Sequence, residues 1–375
     1  MPTMLPAPAD TFGNIRHVLP AAFASVRGQT NQFKLAPVSH AIVIMVDGLG
    51  FENLRQSKGV AKTLAAAMTD VPELFCGFPS STVASIASLG TGKPPSEHGL
   101  FGYRIFDRTA EAEHNLLSGM DKYTILDYLT ANPLSETNAL NVVTLVDYVD
   151  SGFTRATMHG ALHFSEPSMQ SRFEKAADLS KTELGVTYLY VPELDQTAHA
   201  VGWTSETWRE LLAELETNVL KLLSQVGSSV GVLLIADHGV IDVLPANHLH
   251  LDEVLATDEL SSLGGDPRAS YLYFADVTAV SDAMRRLSNW IDGRGEVFTF
   301  DEAVASGLFT EPLVAETELL PDLIVLPAEG FACYHRGISK PSSMRMVAQH
   351  GGLSFAETAL PFLRLGAYST SDFVP

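Results

Sequence analysis

Apolar positions along this chain follow two rhythms. Three uninterrupted runs, at 41–46, 186–191 and 232–236, consist almost wholly of β-branched, aliphatic and tyrosine side chains. Runs of that kind without polar alternation predict strands buried on both faces, the mark of a parallel sheet. Elsewhere the period is helical: Trp208, Leu211, Leu212, Leu215, Val219 and Leu222 form one stripe within 205–226. Further helices are predicted over 49–68, 120–130 and 166–179. Pro79-Ser80-Ser81-Thr82 opens another that runs through Leu89, with Ser and Thr as N-cap material and Gly90 and Gly92 as its stop. A short strand is expected over 71–78, and a loop-rich stretch before Ser39. Strand and helix alternating in this way predict an α/β fold, a three-layer αβα sandwich.

From Gly264 the grain changes. Ser270-Tyr271-Leu272-Tyr273-Phe274, a helix at 279–291, Glu296-Val297-Phe298-Thr299-Phe300 and a short helix make a βαβα unit. Residues 264–312 therefore read as a small α+β lid or cap subdomain inserted in a domain that takes in 1–375. Leu323-Ile324-Val325-Leu326 reads as the return to a core strand.

The 375 residues are 46% hydrophobic and 18% charged, enough apolar material for one large core. A formal net charge of -20 argues against a nucleic-acid polymer or an anionic membrane as partner. An anionic substrate would then need local positive charge, which divalent ions could supply. Cys76 and Cys333 form no CxxC pair, so neither a disulfide framework nor thiolate zinc is supported. The proline-broken first residues lack a signal-peptide pattern, and no run reaches the ~18 apolar residues of a membrane span. A cytoplasmic protein is expected.

The candidate chemistry lies at the ends of the three apolar runs. The first leads into Asp47, the second through Pro192-Glu193-Leu194 to Asp195 with His199 four residues on, the third into Asp237-His238. Ligand sites in open α/β sheets lie beyond the carboxyl ends of the strands. Each group has a plain structural alternative: Asp-Gly turns at Asp47 and Asp237-His238-Gly239, and a surface ion pair for Asp195 and His199 on one helical face. Jointly, carboxylates and imidazoles from separate strands indicate a metal site. The donors suit zinc, with manganese or iron as alternatives. His350, in a glycine-bounded loop, is the further histidine chosen, whereas His248, His250 and His335 read as loop or lid residues. Thr82, at a helix start where backbone N–H groups favour an anion, is the candidate nucleophile.

The set Val46-Asp47-Gly48-Leu49-Gly50, Phe78-Pro79-Ser80-Ser81-Thr82, Thr91-Gly92-Lys93-Pro94-Pro95-Ser96-Glu97-His98-Gly99, Asp195 with His199 and Gly202, Ala236-Asp237-His238-Gly239 and His350-Gly351-Gly352 resembles the type I phosphodiesterase/nucleotide pyrophosphatase family of the alkaline phosphatase superfamily. The resemblance runs from about residue 40 to the C-terminus. It implies two zinc ions, one held by Asp195, His199 and His350, the other by Asp47, Asp237, His238 and the Thr82 hydroxyl. It also implies hydrolysis of a small anionic phosphoester, such as a nucleotide, through a phospho-threonine on Thr82. Two positions depart from the family pattern. Ser85 stands where an asparagine three residues after the nucleophile helps bind a non-bridging oxygen, and Tyr103 where another asparagine often follows the His-Gly segment. Both are taken as substrate contacts, Ser85 a weakened one.

Other readings compete. A phosphomonoesterase, phosphonate hydrolase or phosphomutase of the same superfamily would draw extra positive charge from Lys93, Arg104 or Arg268. A metal-binding interaction protein without catalysis is the third reading. Gly48-Leu49-Gly50 lacks the third small residue of a dinucleotide fingerprint, since Asn53 stands there, and Gly92-Lys93 lacks the Ser or Thr of a phosphate loop. Cys76 lacks the neighbours of a sulfatase cysteine. Phe101, Tyr103, Phe106 and the 150–170 segment with His159 and His163 are candidates for the leaving-group pocket, with core packing as the alternative.

Overall fold

The computed structural model describes residues 13–116, 140–145, 158, 160–181, 184–309 and 317–369. Five parallel strands form most of the larger sheet: β1 (His40–Val46), β2 (Leu140–Thr144), β3 (Leu162–Ser165), β4 (Gly185–Val191) and β5 (Val230–Ile235). The antiparallel strand Phe362–Gly366 completes it on the outer side of β5, giving the order Phe362–Gly366, β5, β1, β4, β2, β3. Every residue of β1, β4 and β5 is buried, as unalternated apolar runs require.

Helices supply the outer two layers. Helix α1 (Val18–Val26) packs on β1 and β4 and touches α2 (Thr82–Thr91). Helix α3 (Met169–Leu179) lies on β2 and β4, and α4 (Glu193–Val201) and α5 (Glu206–Gln225) pack together, with α5 also against α3. The α5 stripe is core: Trp208, Leu212, Leu215, Val219 and Leu222 are buried. Helix α2 is buried along its whole length, which its small residues Ala84, Ser85, Ala87, Ser88 and Gly90 allow.

Several sequence expectations are corrected. The stretch before Ser39 contains α1, because Pro20 falls in the first helical turn, where no backbone N–H is needed. The helix expected over 49–68 is two helices, Phe51–Gln56 and Lys62–Ala66, since Ser57 tightens the first into its end and Gly59 follows. The strand expected over 71–78 shrinks to Leu74–Phe75. Helix α2 runs past Gly90 and ends at Gly92, whose φ of 70° is the left-handed cap that glycine favours. The helix expected at 120–130 lies outside the described residues.

A second sheet follows, built from β6 (Leu260–Asp266), β7 (Ala269–Phe274), β8 (Gly295–Thr299) and β9 (Leu323–Pro327) in the order β6, β7, β9, β8. Leu323–Pro327 thus does not return to the larger sheet but lies centrally in the smaller, antiparallel to both β7 and β8. A fully buried apolar strand reads the same in either sheet, so the pattern alone could not choose. Val280–Ile291 and Phe300–Ala305 pack on this sheet as α6 and α7. Among the described residues, no helix is long and apolar enough to cross a membrane.

Candidate metal centre

Strand register gathers the acids. Val46 on β1 stands opposite Val191 on β4, and Met45 opposite Ile235 on β5. Asp47, Asp195 and Asp237 therefore all emerge past the same edge of three adjacent strands. Asp195 arrives one helical turn later, because Pro192 starts α4 and sets Asp195 and His199 four residues apart on it. Gly48, at φ 72°, turns the chain away from Asp47. A Cβ there would stand 3.0 Å from Asp195 Cβ and Oδ1, so glycine permits the two acids to approach. His350 reaches the site because Ala348–Gln349 pairs antiparallel with Ile241–Asp242, just beyond His238.

Two donor sets result: Asp195, His199 and His350 in one, Asp47, Asp237 and His238 in the other, each with ligand atoms within 4.8 Å of one another. Within the first, His199 Nε2 lies 3.2 Å from Asp195 Oδ2. In the second, His238 Nε2 lies 3.4 Å from Asp47 Oδ1 and 3.6 Å from Asp237 Oδ2. The His238 and His350 rings stack at 3.7 Å, so the sets are neighbours. Thr82 Oγ1, at the start of α2, lies 3.1 Å from His238 Nε2 and 3.5 Å from Asp47 Oδ1.

The surroundings orient these donors. His199 Nδ1 is 2.8 Å from the Ala348 carbonyl, His350 Nδ1 3.1 Å from that of Ser80, and His238 Nδ1 3.2 Å from that of Gly239. A backbone acceptor at Nδ1 favours the proton there, which leaves the Nε2 of His238 and His350 free to donate its lone pair, while His199 Nε2 faces Asp195 and would give up its proton to an entering cation. The Tyr190 hydroxyl donates to Asp47 Oδ2, and the Gly48 N–H donates to Asp237 Oδ1 at 3.1 Å. Asp195 Oδ1 and Asp237 Oδ2 are buried with no hydrogen-bond donor. Orphaned buried carboxylate oxygens beside aligned imidazole lone pairs fit divalent cations as their missing partners.

The electrostatics point the same way. Burial pushes the Asp47 carboxyl well above its ordinary range, and Asp237 and Asp195 add to the push. Burial likewise raises Asp237 to about 6, with Asp195 contributing. Burial also works to raise Asp195, but the imidazole of His199 outweighs it, helped by His350 and His238, and holds the carboxyl below the usual range. His199 is driven up to about 9, since Asp195 overcomes the effect of burial. His238 and His350 fall to about 4, chiefly through burial, and so stay neutral and able to act as ligands near neutral pH. Three buried acids this close repel one another unless positive charge enters.

Over the donors lies a cavity of about 570 Å³, walled by Thr82, Asp195 and His350 on one side and by β6 residues such as Gly265 and Asp266 on another. Tyr103 lines it, its hydroxyl accepting from Asn115 Nδ2 at 2.6 Å. Ser85 is not among the residues lining it, and its hydroxyl donates to the Asp237 carbonyl at 2.7 Å. Phe101 and Phe106 are packing residues, against Phe300 and Phe309, and against Tyr273. His163 stands apart from the cavity, while His159 and 150–157 fall outside the described residues. His335 is buried, 3.2 Å from the Leu255 carbonyl, and His248–His250 pairs with Ala332–Tyr334.

Three residues escaped the sequence reading. Tyr190 holds Asp47, and its place one residue from the end of β4 was the available signal. Asp266 ends β6 as a buried carboxylate in the cavity wall, with Oδ2 unpartnered. Ser81 lines the cavity beside Thr82. The last two carry no motif, because nothing local reveals that the smaller sheet faces the site or that an N-cap hydroxyl is not capping.

Sheet, helices and the position of the site beyond the strand ends define an alkaline phosphatase-like α/β protein. The chain belongs to the type I phosphodiesterase / nucleotide pyrophosphatase family, whose model matches residues 41–353, as the motifs had led us to expect. Its structure is similar to murine ectonucleotide pyrophosphatase / phosphodiesterase 5, with 15% identity and a TM-score of 0.66 over 86% of this chain and 87% of that one. The human counterpart gives 14% identity and 0.66 over the same shares. An inactive variant of the murine protein in complex with AMP gives 15% and 0.66 over 87% and 88%. Likeness at this identity establishes the fold. No curated protein matches the chain in sequence.

Proposed function

We propose that this chain is a two-metal phosphodiesterase or nucleotide pyrophosphatase with Thr82 as its nucleophile. The observation that carries the reading is the Thr82 hydroxyl, buried at the start of α2 and within reach of Asp47 and His238, beside a second acid–histidine set. Asp195, His199 and His350 would hold one ion; Asp47, Asp237, His238 and the Thr82 hydroxyl would hold the other. Mixed carboxylate and imidazole donors suit zinc best, with manganese or iron as alternatives. Bound ions supply Lewis-acid charge to the oxygens of an in-line displacement.

The chain's own groups then divide the work. Thr82 Oγ1 attacks phosphorus, the ester or pyrophosphate oxygen opposite departs, and a phospho-threonine forms. A water attacks that phosphorus in the second displacement and Thr82 leaves with its oxygen restored. The cavity accepts a small phosphoester, and AMP in the murine neighbour makes a nucleotide the first candidate.

The three cations that the sequence singled out are committed to acids, which supports diesters over monoesters, while Lys340 on the cavity wall is the group a monoester could still engage. A monoester's extra charge needs free positive groups. Lys93 is paired with Glu97, Arg104 with Glu113, and Arg268 with Glu357 in a fully buried pair that also binds the carbonyls of Pro327, Ala328 and Phe331. With zinc present, bis(p-nitrophenyl) phosphate should be hydrolysed with a kcat/KM at least about tenfold above that of p-nitrophenyl phosphate. A reversed ratio would transfer the assignment to the phosphomonoesterases. Two bound metals with no turnover of either compound would favour the non-catalytic reading.

A further inference from the structure

We infer that Ser81 is a further catalytic residue, its hydroxyl donating to a non-bridging oxygen of the phosphoryl group under attack by Thr82. The inference rests on the two-metal hydrolase reading and adds a contact to it.

Ser81 is the N-cap residue of the ten-residue helix α2, with the extended backbone (φ -129°, ψ 151°) that such residues adopt. A serine there ordinarily turns its oxygen back to accept from the first-turn N–H groups. This one makes no such bond. Its Oγ is buried without any hydrogen-bond partner, in a residue only 1% exposed, and the residue lines the cavity beside Thr82. The other hydroxyls of this segment are committed. Ser80 Oγ donates to the Gly352 carbonyl at 2.7 Å, Ser85 Oγ to that of Asp237, and Thr82 is engaged with His238 and Asp47.

Two consequences follow from that one unmade cap. The N-terminal N–H groups of α2 are not covered by the Ser81 side chain, so they stay available to an anion. The Ser81 O–H is itself an uncommitted donor adjacent to the nucleophile in sequence. Together they form a pair of donor types where negative charge grows on phosphorus-bound oxygen. Ser85, the position expected to serve that oxygen, is tied to the Asp237 loop and cannot also do so. Ser81 takes over the contact one residue before the nucleophile instead of three after it.

The test uses the zinc-loaded full chain and Ser81→Ala. On bis(p-nitrophenyl) phosphate, kcat should fall on the order of 10- to 100-fold with KM within about threefold. The decisive readout is stereochemical, using the two enantiomers of p-nitrophenyl methyl phosphorothioate. Sulfur accepts a hydrogen bond poorly, so wild type should discriminate between them, and Ser81→Ala should shift that ratio about tenfold. An enantiomer ratio unchanged by the substitution, with both rates scaled alike, would reduce Ser81 to a structural role. Orthovanadate, a mimic of the five-coordinate phosphorus, should bind Ser81→Ala about tenfold more weakly than wild type. Equal vanadate affinity overturns the assignment whether or not turnover is seen. A wild type that neither hydrolyses diesters nor binds vanadate would instead remove the phosphoryl site, and the Ser81 contact with it.

Discussion

Replacing Thr82 by alanine is expected to lower phosphodiester turnover by about four to six powers of ten, the scale seen when a covalent nucleophile is deleted. On the proposed mechanism the substitution removes the atom that attacks phosphorus, and the residue that remains is a buried methyl at the start of α2. Little else should change. Thr82 is 6% exposed and sits within a helix whose other residues hold their places, so folding should survive. The first donor set, Asp195 with His199 and His350, does not include Thr82 and should keep its ion. Steady-state assays of the two proteins at equal zinc content check this. A Thr82→Ala protein with more than about one hundredth of wild-type turnover would dismiss threonine as the nucleophile.

The second large effect concerns the metals. Exhaustive chelation is expected to abolish turnover and to lower the midpoint of thermal unfolding by on the order of 10 °C, reversed by added zinc. An ion that binds only the folded chain at about a thousandfold excess over its Kd contributes about 4 kcal/mol. Here the contribution has an identifiable source. Asp47, Asp195 and Asp237 are each less than a tenth exposed, and Asp195 Oδ1 and Asp237 Oδ2 have no donor of their own. Chelation leaves those carboxyls crowded together in a largely buried site, whereas the unfolded chain would hydrate them fully. An apo protein as stable as the loaded one would mean that the acids are satisfied some other way.

Much of this is legible in the sequence. Buried parallel strands reveal themselves by unbroken apolar runs, and residues at their carboxyl ends converge by sheet geometry alone, so Asp47, Asp195 and Asp237 could be grouped from sequence. The four-residue step from Asp195 to His199 was equally clear, because one helical turn fixes it. His350 was less so. Its place depends on the pairing of Ala348–Gln349 with Ile241–Asp242, which no local pattern announces, and the glycines after it were the only cue. What failed was whatever depended on which surfaces meet. Leu323–Pro327 has the composition of any buried strand, and only tertiary packing sends it to the smaller sheet. Nothing local shows that the Ser85 hydroxyl meets the Asp237 carbonyl. Asp266 sits in the cavity wall because two sheets face each other, a fact no spacing encodes.

The convergence of the two donor sets is tested most directly by diffraction at the zinc absorption edge from zinc-loaded crystals. The expected result is two anomalous peaks per chain, one bounded by Asp195, His199 and His350, the other by Asp47, Asp237, His238 and the Thr82 hydroxyl. A single peak, or peaks away from these seven side chains in a fully loaded protein, would contradict the two-metal site.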